Sequence, residues 1–233
     1  MTSQIVAIIL TFQFFISSTF AQKNVAPNLF YSTNELKADL KYLKNKFESK
    51  HPGLHLYTSK SNMDQVFDSL ENGISKPMTE LEFYKHIAII SSIIKDGHTI
   101  ILPSPTNINF HYSMSHFLPY HFAILNHQLF IDMFYTHDGS IPIGSEIIRI
   151  NHVEVTEIIK QLGTRLVRDG YNLTYPNWIL NNYFRQYYSF IYDHPDNYVI
   201  DYKTNGQVFT ATIKALPIDS IFILSSGISS TGI

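Results

Sequence analysis

Phe83, Ile87, Ile90 and Ile94 step along the chain by four, three and four residues. That spacing keeps all four side chains on one face of an α-helix, so the stretch commits this part of the chain to helix packing. Thr79-Glu80-Leu81-Glu82 precedes it with the spacing of a capping box, in which the first and fourth residues satisfy each other's backbone N–H groups. The helix then runs into Asp96-Gly97-His98-Thr99. Glycine takes a positive φ without a Cβ penalty, so Gly97 is the expected left-handed exit. His98 follows on a loop that a packed helix holds rigid, a good place for a reacting side chain. The plainer reading of the same residues is a histidine in an ordinary helix exit.

Two further helices are expected upstream. Ser32-Thr33-Asn34-Glu35 repeats the capping-box spacing, and Leu36, Leu40, Leu43 and Phe47 follow at helical intervals until Pro52-Gly53 ends the pattern. Ser59 or Ser61 caps a shorter helix with Met63, Val66, Phe67 and Leu70 inside and Asn72-Gly73 at its end. After Thr99 the character changes to short strands. Pro103 to Asn109 reads as a turn-rich connection, and Asn126-His127, Asn151-His152 and Asn205-Gly206 each read as a tight turn between strands. Ile147 to Ile150 and Val153 to Val155 are strands around the second turn, and Thr156 opens a helix with Ile158, Ile159, Leu162 and Leu166 inside. Tyr171 to Tyr192 carries nine aromatic rings and reads as a helix or linker that packs them, with an aromatic ligand platform as the alternative.

The balance of charge excludes some partners. With 17 Lys and Arg against 19 Asp and Glu, net −2, the 233-residue chain has no basic footprint for nucleic acid. Lys41, Lys44, Lys46 and Lys50 are interleaved with acidic residues and read as a solvated helix face. Residues 1–21 read as an export signal: an apolar stretch from Ile5 to Ile16, then Ser17 to Thr19 and Ala21 before the cut at Gln22. The expectation is a periplasmic or extracellular protein with no stable membrane span after cleavage, the competing reading being an N-terminal anchor. The absence of cysteine excludes disulfides, a thiol nucleophile and a thiolate metal site.

Eleven histidines raise the question of a metal. His111, His116 and His121 recur every five residues, a spacing that scatters them on a helix and flips faces on a strand. His51 and His55 are four apart, but Pro52 between them prevents the helix that would align them. No metal site and no cofactor are expected. A serine nucleophile is also missing: no Gly-x-Ser-x-Gly occurs, and Ser225, Ser226, Ser229 and Ser230 lie in a stretch with no helix after them.

Several segments together resemble a known family. His51-Pro52-Gly53-Leu54 with Tyr57, Pro77 to Tyr84, Ile94 to Thr99, and Ile141 to Val155 are similar, in that order, to the tail-specific (C-terminal-processing) serine peptidases, in particular the bacterial branch related to the tricorn core. His152 stands where typical members have glycine. The resemblance implies an α+β fold: an N-terminal helical region, then a PDZ-like mixed α/β segment, then the start of a further β-containing domain. The implied boundaries are a signal peptide at 1–21, the helical region at 22–99, the PDZ-like segment at 100–168, and an aromatic linker with a β-hairpin at 169–233, ending before the catalytic domain. It also implies hydrolysis of peptide bonds in a peptide or protein substrate. His98 matches the family's catalytic base, with Asp96 and Thr99 as supporting residues. The nucleophilic serine is expected downstream of these residues, which leaves this chain inactive in isolation. The alternatives from other classes are a non-enzymatic, PDZ-like peptide-binding protein and an inert remnant.

Overall fold

The structure is a computed structural model, and it describes residues 29–135, 140–192 and 194–221, together with the backbone of residues 7–10. The fold is mixed α+β, with helices first and a β-rich region after them. The chain divides into two compact units: residues 1–110 with 165–175, and residues 111–164 with 176–233.

In the first unit, strand β1 (Ala7–Leu10) is followed by β2 (Phe30–Tyr31), α1 (Thr33–Lys50), α2 (Lys60–Gly73), β3 (Met78–Thr79), α3 (Glu80–Ile87), α4 (Ile89–Ile94) and β4 (Thr99–Leu102). The export-signal segment falls almost wholly outside the described residues; within it, only the Ala7–Leu10 backbone is seen, paired antiparallel with β4. Both capping boxes form, with the Glu35 and Glu82 carboxylates each accepting from the N-cap backbone N–H at 2.8 Å. The α1 stripe of Leu36, Leu40, Leu43 and Phe47 is buried as its spacing requires. Ser59, rather than Ser61, caps α2. Lys44 reaches Asp64 at 2.7 Å and Lys60 reaches Glu48 at 3.2 Å, and both pairs tie α1 to α2.

The helix expected from Thr79 to Ile94 is two helices, because the chain breaks at Ala88. Its apolar face survives the break: Phe83, Ile87, Ile90 and Ile94 are all buried. The left-handed exit is also displaced. It falls on Lys95, with φ 59° and ψ 37°, rather than on Gly97. The helix ends at Ile94, so the positive φ falls on the next residue, before the glycine arrives. Pro103 to Asn109, expected as a turn-rich connection, instead leads into helix α5 (Pro105–Met114). Its start is organised by Glu80, which accepts from the Ser104 backbone N–H, from the Ser104 hydroxyl at 3.1 Å and from the Asn107 amide at 2.7 Å. Burial pushes the Glu80 carboxyl up, and these bonds work against that rise.

The second unit is built on a six-stranded antiparallel sheet. In chain order it holds β5 (His116–Phe117), β6 (Tyr120–Leu125), β7 (Gln128–Phe134), β8 (Glu146–Ile150), β9 (Val153–Glu154), α6 (Val155–Gly163), α7 (Thr174–Ile191, beginning two residues before the unit boundary), β10 (Asn197–Thr204), β11 (Gln207–Lys214) and β12 (Leu216–Pro217). The sheet order is β11-β10-β8-β7-β6, with β9 on β8; β12 pairs separately with β5. All three expected turns form. Each carries two residues at positive φ: Asn126 and His127 (51°, 64°), Asn151 and His152 (48°, 67°), Asn205 and Gly206 (49°, 78°). Paired positive φ values make the turn twist with the strands it joins. The aromatic segment is largely the helix α7, non-helical at Tyr183, with Phe184, Tyr188 and Phe190 buried and Trp178 and Tyr183 exposed. Phe184 packs on Phe122 at 5.2 Å and Tyr188 on Tyr198 at 6.0 Å, so α7 supplies rings to the sheet's core. No helix among the described residues is long and apolar enough to cross a membrane.

Candidate active site

The end of α4 is fixed before any functional side chain is placed. The Thr58 hydroxyl donates to the Ile93 carbonyl at 2.6 Å, satisfying an acceptor that the helix end leaves open. Beyond the left-handed Lys95, Asp96 turns the chain: its Oδ1 accepts from the His98 backbone N–H at 3.0 Å, and its carbonyl accepts from Thr99 N–H at 3.1 Å. The other carboxylate oxygen, Oδ2, accepts from the Thr99 hydroxyl at 2.8 Å and from His51 Nε2 at 2.9 Å.

His51 is a nearly buried imidazole, its side chain 5 % exposed. The Gly53 backbone N–H points at its Nδ1 from 3.3 Å, which makes Nδ1 the acceptor and places the proton on Nε2. Nε2–H is then the donor to Asp96, with Thr99 Oγ1 3.1 Å away. Partial burial pushes the Asp96 carboxyl up, but the bonds from His98 N–H, Thr99 and His51 outweigh it and hold the carboxyl below its ordinary value of 3.8. Asp96 is therefore an anion at neutral pH. His98 is placed differently: its side chain is 81 % exposed, with Nδ1 3.4 Å from Asp96 Oδ1.

A second segment comes to the same turn from 72 residues downstream. The Gly97 backbone N–H donates to Asp169 Oδ1 at 2.8 Å, and the Gly170 N–H donates back to the Lys95 carbonyl at 2.9 Å. Gly97 is needed here for space, since a Cβ would lie 2.7 Å from Asp169 Oδ1. The next residue, Tyr171, carries the Lys95 ammonium over its ring at 4.2 Å and packs edge-on against Tyr57 at 5.9 Å.

The three residues expected from the sequence, Asp96, His98 and Thr99, thus share one turn and one hydrogen-bond network. Two members were not expected as site residues. His51 was weighed with His55 as a metal pair and otherwise marked by its place in the resemblance, and nothing near Asp169 in the chain announces a partner for Gly97. The remaining histidines do not join them. His116 pairs with Asp196 at 2.8 Å, and His121 with Asp132 at 3.0 Å. His111 meets two serine hydroxyls that the spacing rules missed, buried Ser115 at 3.3 Å and Ser189 at 3.0 Å. Ser189 is 1 % exposed and its hydroxyl donates to the Gln186 carbonyl at 2.8 Å, so that pair is internal bonding, not a reactive dyad. Among the described residues no hydroxyl hydrogen-bonds the His98 ring. The stretch holding Ser225 to Ser230 lies outside the described residues.

An exposed imidazole beside an ionised carboxylate is an acid–base pair: the anion steadies the imidazolium that forms when the ring takes a proton. No family model matches the chain, and no curated protein matches it in sequence. Among solved structures the chain is similar to CPAF, a chlamydial serine protease with a tail-specific-protease-like fold. The TM-score is 0.53 to mature CPAF complexed with lactacystin, 0.50 to mature CPAF alone and 0.54 to a serine-to-alanine mutant, at 12 % identity in each case. Each likeness covers 78 % of this chain, while the chain spans only 35 %, 34 % and 34 % of the three CPAF chains. What the comparison establishes is architecture, a protease-like α+β fold.

Proposed function

We propose that the chain is the N-terminal part of an exported serine endopeptidase of the tail-specific, tricorn-like type. The observation that carries this reading is the exposed His98 ring beside the anionic Asp96, in a chain whose fold resembles that of a serine protease. In this reading His98 takes the proton from an attacking serine hydroxyl and later returns it to the leaving amine. Asp96 orients the ring and balances the imidazolium, and His51 and Thr99 hold Asp96 in place. The nucleophilic serine lies outside the described residues.

Peptide hydrolysis by the protein carrying this chain, as its gene encodes it, tests the assignment. A general base contributes about 10²–10⁴-fold, so His98→Ala should lower kcat by that factor with little change in KM. Unchanged kcat removes His98 from the mechanism. Export is tested separately: the mature protein should begin at Gln22.

One observation favours a second reading. β11, downstream of the 100–168 segment, is an eight-residue strand whose single neighbour among the described residues is β10, and most of its residues are exposed. An open edge of that kind can accept a peptide as an added strand. A non-enzymatic, PDZ-like peptide binder should discriminate free-acid from C-terminally amidated peptides in calorimetry; equal affinity, or none, removes this alternative.

A further inference from the structure

The Asp96 carboxylate and the His98 ring lie side by side in one turn that the His98 N–H to Asp96 Oδ1 bond holds. Nδ1 and Oδ1 are 3.4 Å apart, whereas a charge-assisted N–H···O bond usually spans about 2.7–2.9 Å. Two ligands on a tetrahedral ion with bonds of about 2.0–2.2 Å stand about 3.3–3.6 Å apart. The present separation falls within that span. A third donor is present: one oxygen of Asp169 lies with these residues' ligand atoms in a triangle whose sides are all within 4.8 Å.

We propose that Asp96, His98 and Asp169 form a three-ligand site for a divalent transition-metal ion of the zinc class, with the fourth position open to solvent. One imidazole and two carboxylates suit such an ion; calcium would require six to eight oxygens and magnesium a near-ideal octahedron. Two of the three ligands are already held. Asp96 is fixed by His51 and Thr99 through Oδ2, while Oδ1 accepts from the His98 backbone N–H and faces the His98 ring. Asp169 is fixed by the Gly97 N–H through Oδ1, and its Oδ2 has no hydrogen bond among the described residues. Hydrogen bonds behind a ligating carboxylate are the usual outer support of a metal site. The His98 ring is 81 % exposed, so it can rotate to bring the triangle to ligand distances. No spacing rule points to this site, because its third ligand comes from a segment remote in the chain.

The site has a consequence for catalysis that rests on the peptidase reading. A metal on Nδ1 takes that nitrogen's lone pair and leaves the proton on Nε2. The ring can then no longer accept a proton, so occupancy switches the base off. The metal site itself does not depend on that reading.

The test is calorimetric titration of zinc chloride into the full chain in a non-chelating buffer. Wild type should bind one equivalent saturably. His98→Ala should abolish binding, and Asp169→Asn should weaken it by about tenfold or more, since losing even an outer partner costs about 10–100-fold. Asn keeps an oxygen for the Gly97 N–H and His98 is exposed, so neither change should unfold the chain; circular dichroism confirms this for each variant. His121→Ala, which removes a surface His–Asp pair with no third donor, should bind as wild type does. Ring resonances of His98, followed by NMR, should move with zinc while those of His121 do not. The proposal is overturned by the absence of saturable binding, by an unchanged Asp169→Asn isotherm, or by loss of binding in His121→Ala. Any of these leaves the His98 base untouched, because metal-free hydrolysis assays test it separately.

Discussion

Asp39 sits on α1 one turn after Glu35, with Oδ2 buried and lacking a hydrogen-bond partner among the described residues. Burial, with repulsion from Glu35 second, pushes its carboxyl up from 3.8 to about 6. A raised folded-state value means that the ionised form is penalised. The penalty is absent below the unfolded value, grows as pH rises towards about 6, and is full above it. Asp39→Asn should therefore stabilise the protein at pH 7 and do nothing at pH 3.5. The shift at 1.36 kcal/mol per unit is an upper bound, and solvent screening at this half-buried position reduces the expected gain to about 1 kcal/mol. Urea midpoints at the two pH values read the difference. Asp96 behaves in the opposite sense. Its lowered value gives stability that is present at neutral pH and is lost as pH falls through that value. Removing His51 strips one donor from Oδ2, so His51→Ala should cost about 1–3 kcal/mol and move the acid loss to higher pH. Identical acid limbs in the two proteins would show that His51 does not hold this carboxylate.

At the level of elements, the two-way clasp between the Lys95–Gly97 and Asp169–Gly170 segments is the part most open to mutation. Gly97→Ala puts a methyl group against the Asp169 carboxylate, which must leave, and the Gly97 N–H bond goes with it. The expected cost is about 0.5–1.5 kcal/mol. In an Asp169→Ala background the same change should cost almost nothing, and additive costs in the double-mutant cycle would contradict the clasp. This is also where the sequence was least legible. Helix faces, capping boxes and tight turns announce themselves because each obeys a local period or a fixed spacing, as Leu36 to Phe47 and Asn205-Gly206 do. α5 was missed because Pro103 and Pro105 signal a loop, while Glu80, twenty-four residues away, organises the start of the helix. Gly97 was correctly singled out but for the wrong reason: its bare Cα makes room for Asp169, and Lys95 takes the left-handed φ.

Across the whole molecule, each unit carries its own core, and the candidate site belongs wholly to the first. Phe83, 1 % exposed, anchors that unit's helices, and Phe83→Ala should lower stability by about 3–5 kcal/mol in urea titrations. The expected α+β order, helices and then a β-rich region, is what the structure shows, because hydrophobic period alone distinguishes the two halves. The turn that carries Asp96, His98 and Thr99 was equally legible as one local segment. Its partners were not, since His51 and Asp169 reach the turn through tertiary packing. The three turns of the sheet have a further meaning for anyone wishing to harden the protein against heat. Only one has glycine in its second place; His127 and His152 hold left-handed backbones that cost an ordinary residue about 1–2 kcal/mol. Glycine removes that cost while giving back about 0.5–1 kcal/mol in chain entropy. His127→Gly and His152→Gly should therefore each raise the melting temperature slightly, and together more. The sheet thus has thermal tolerance in reserve at two corners, neither of them among the residues proposed to do chemistry.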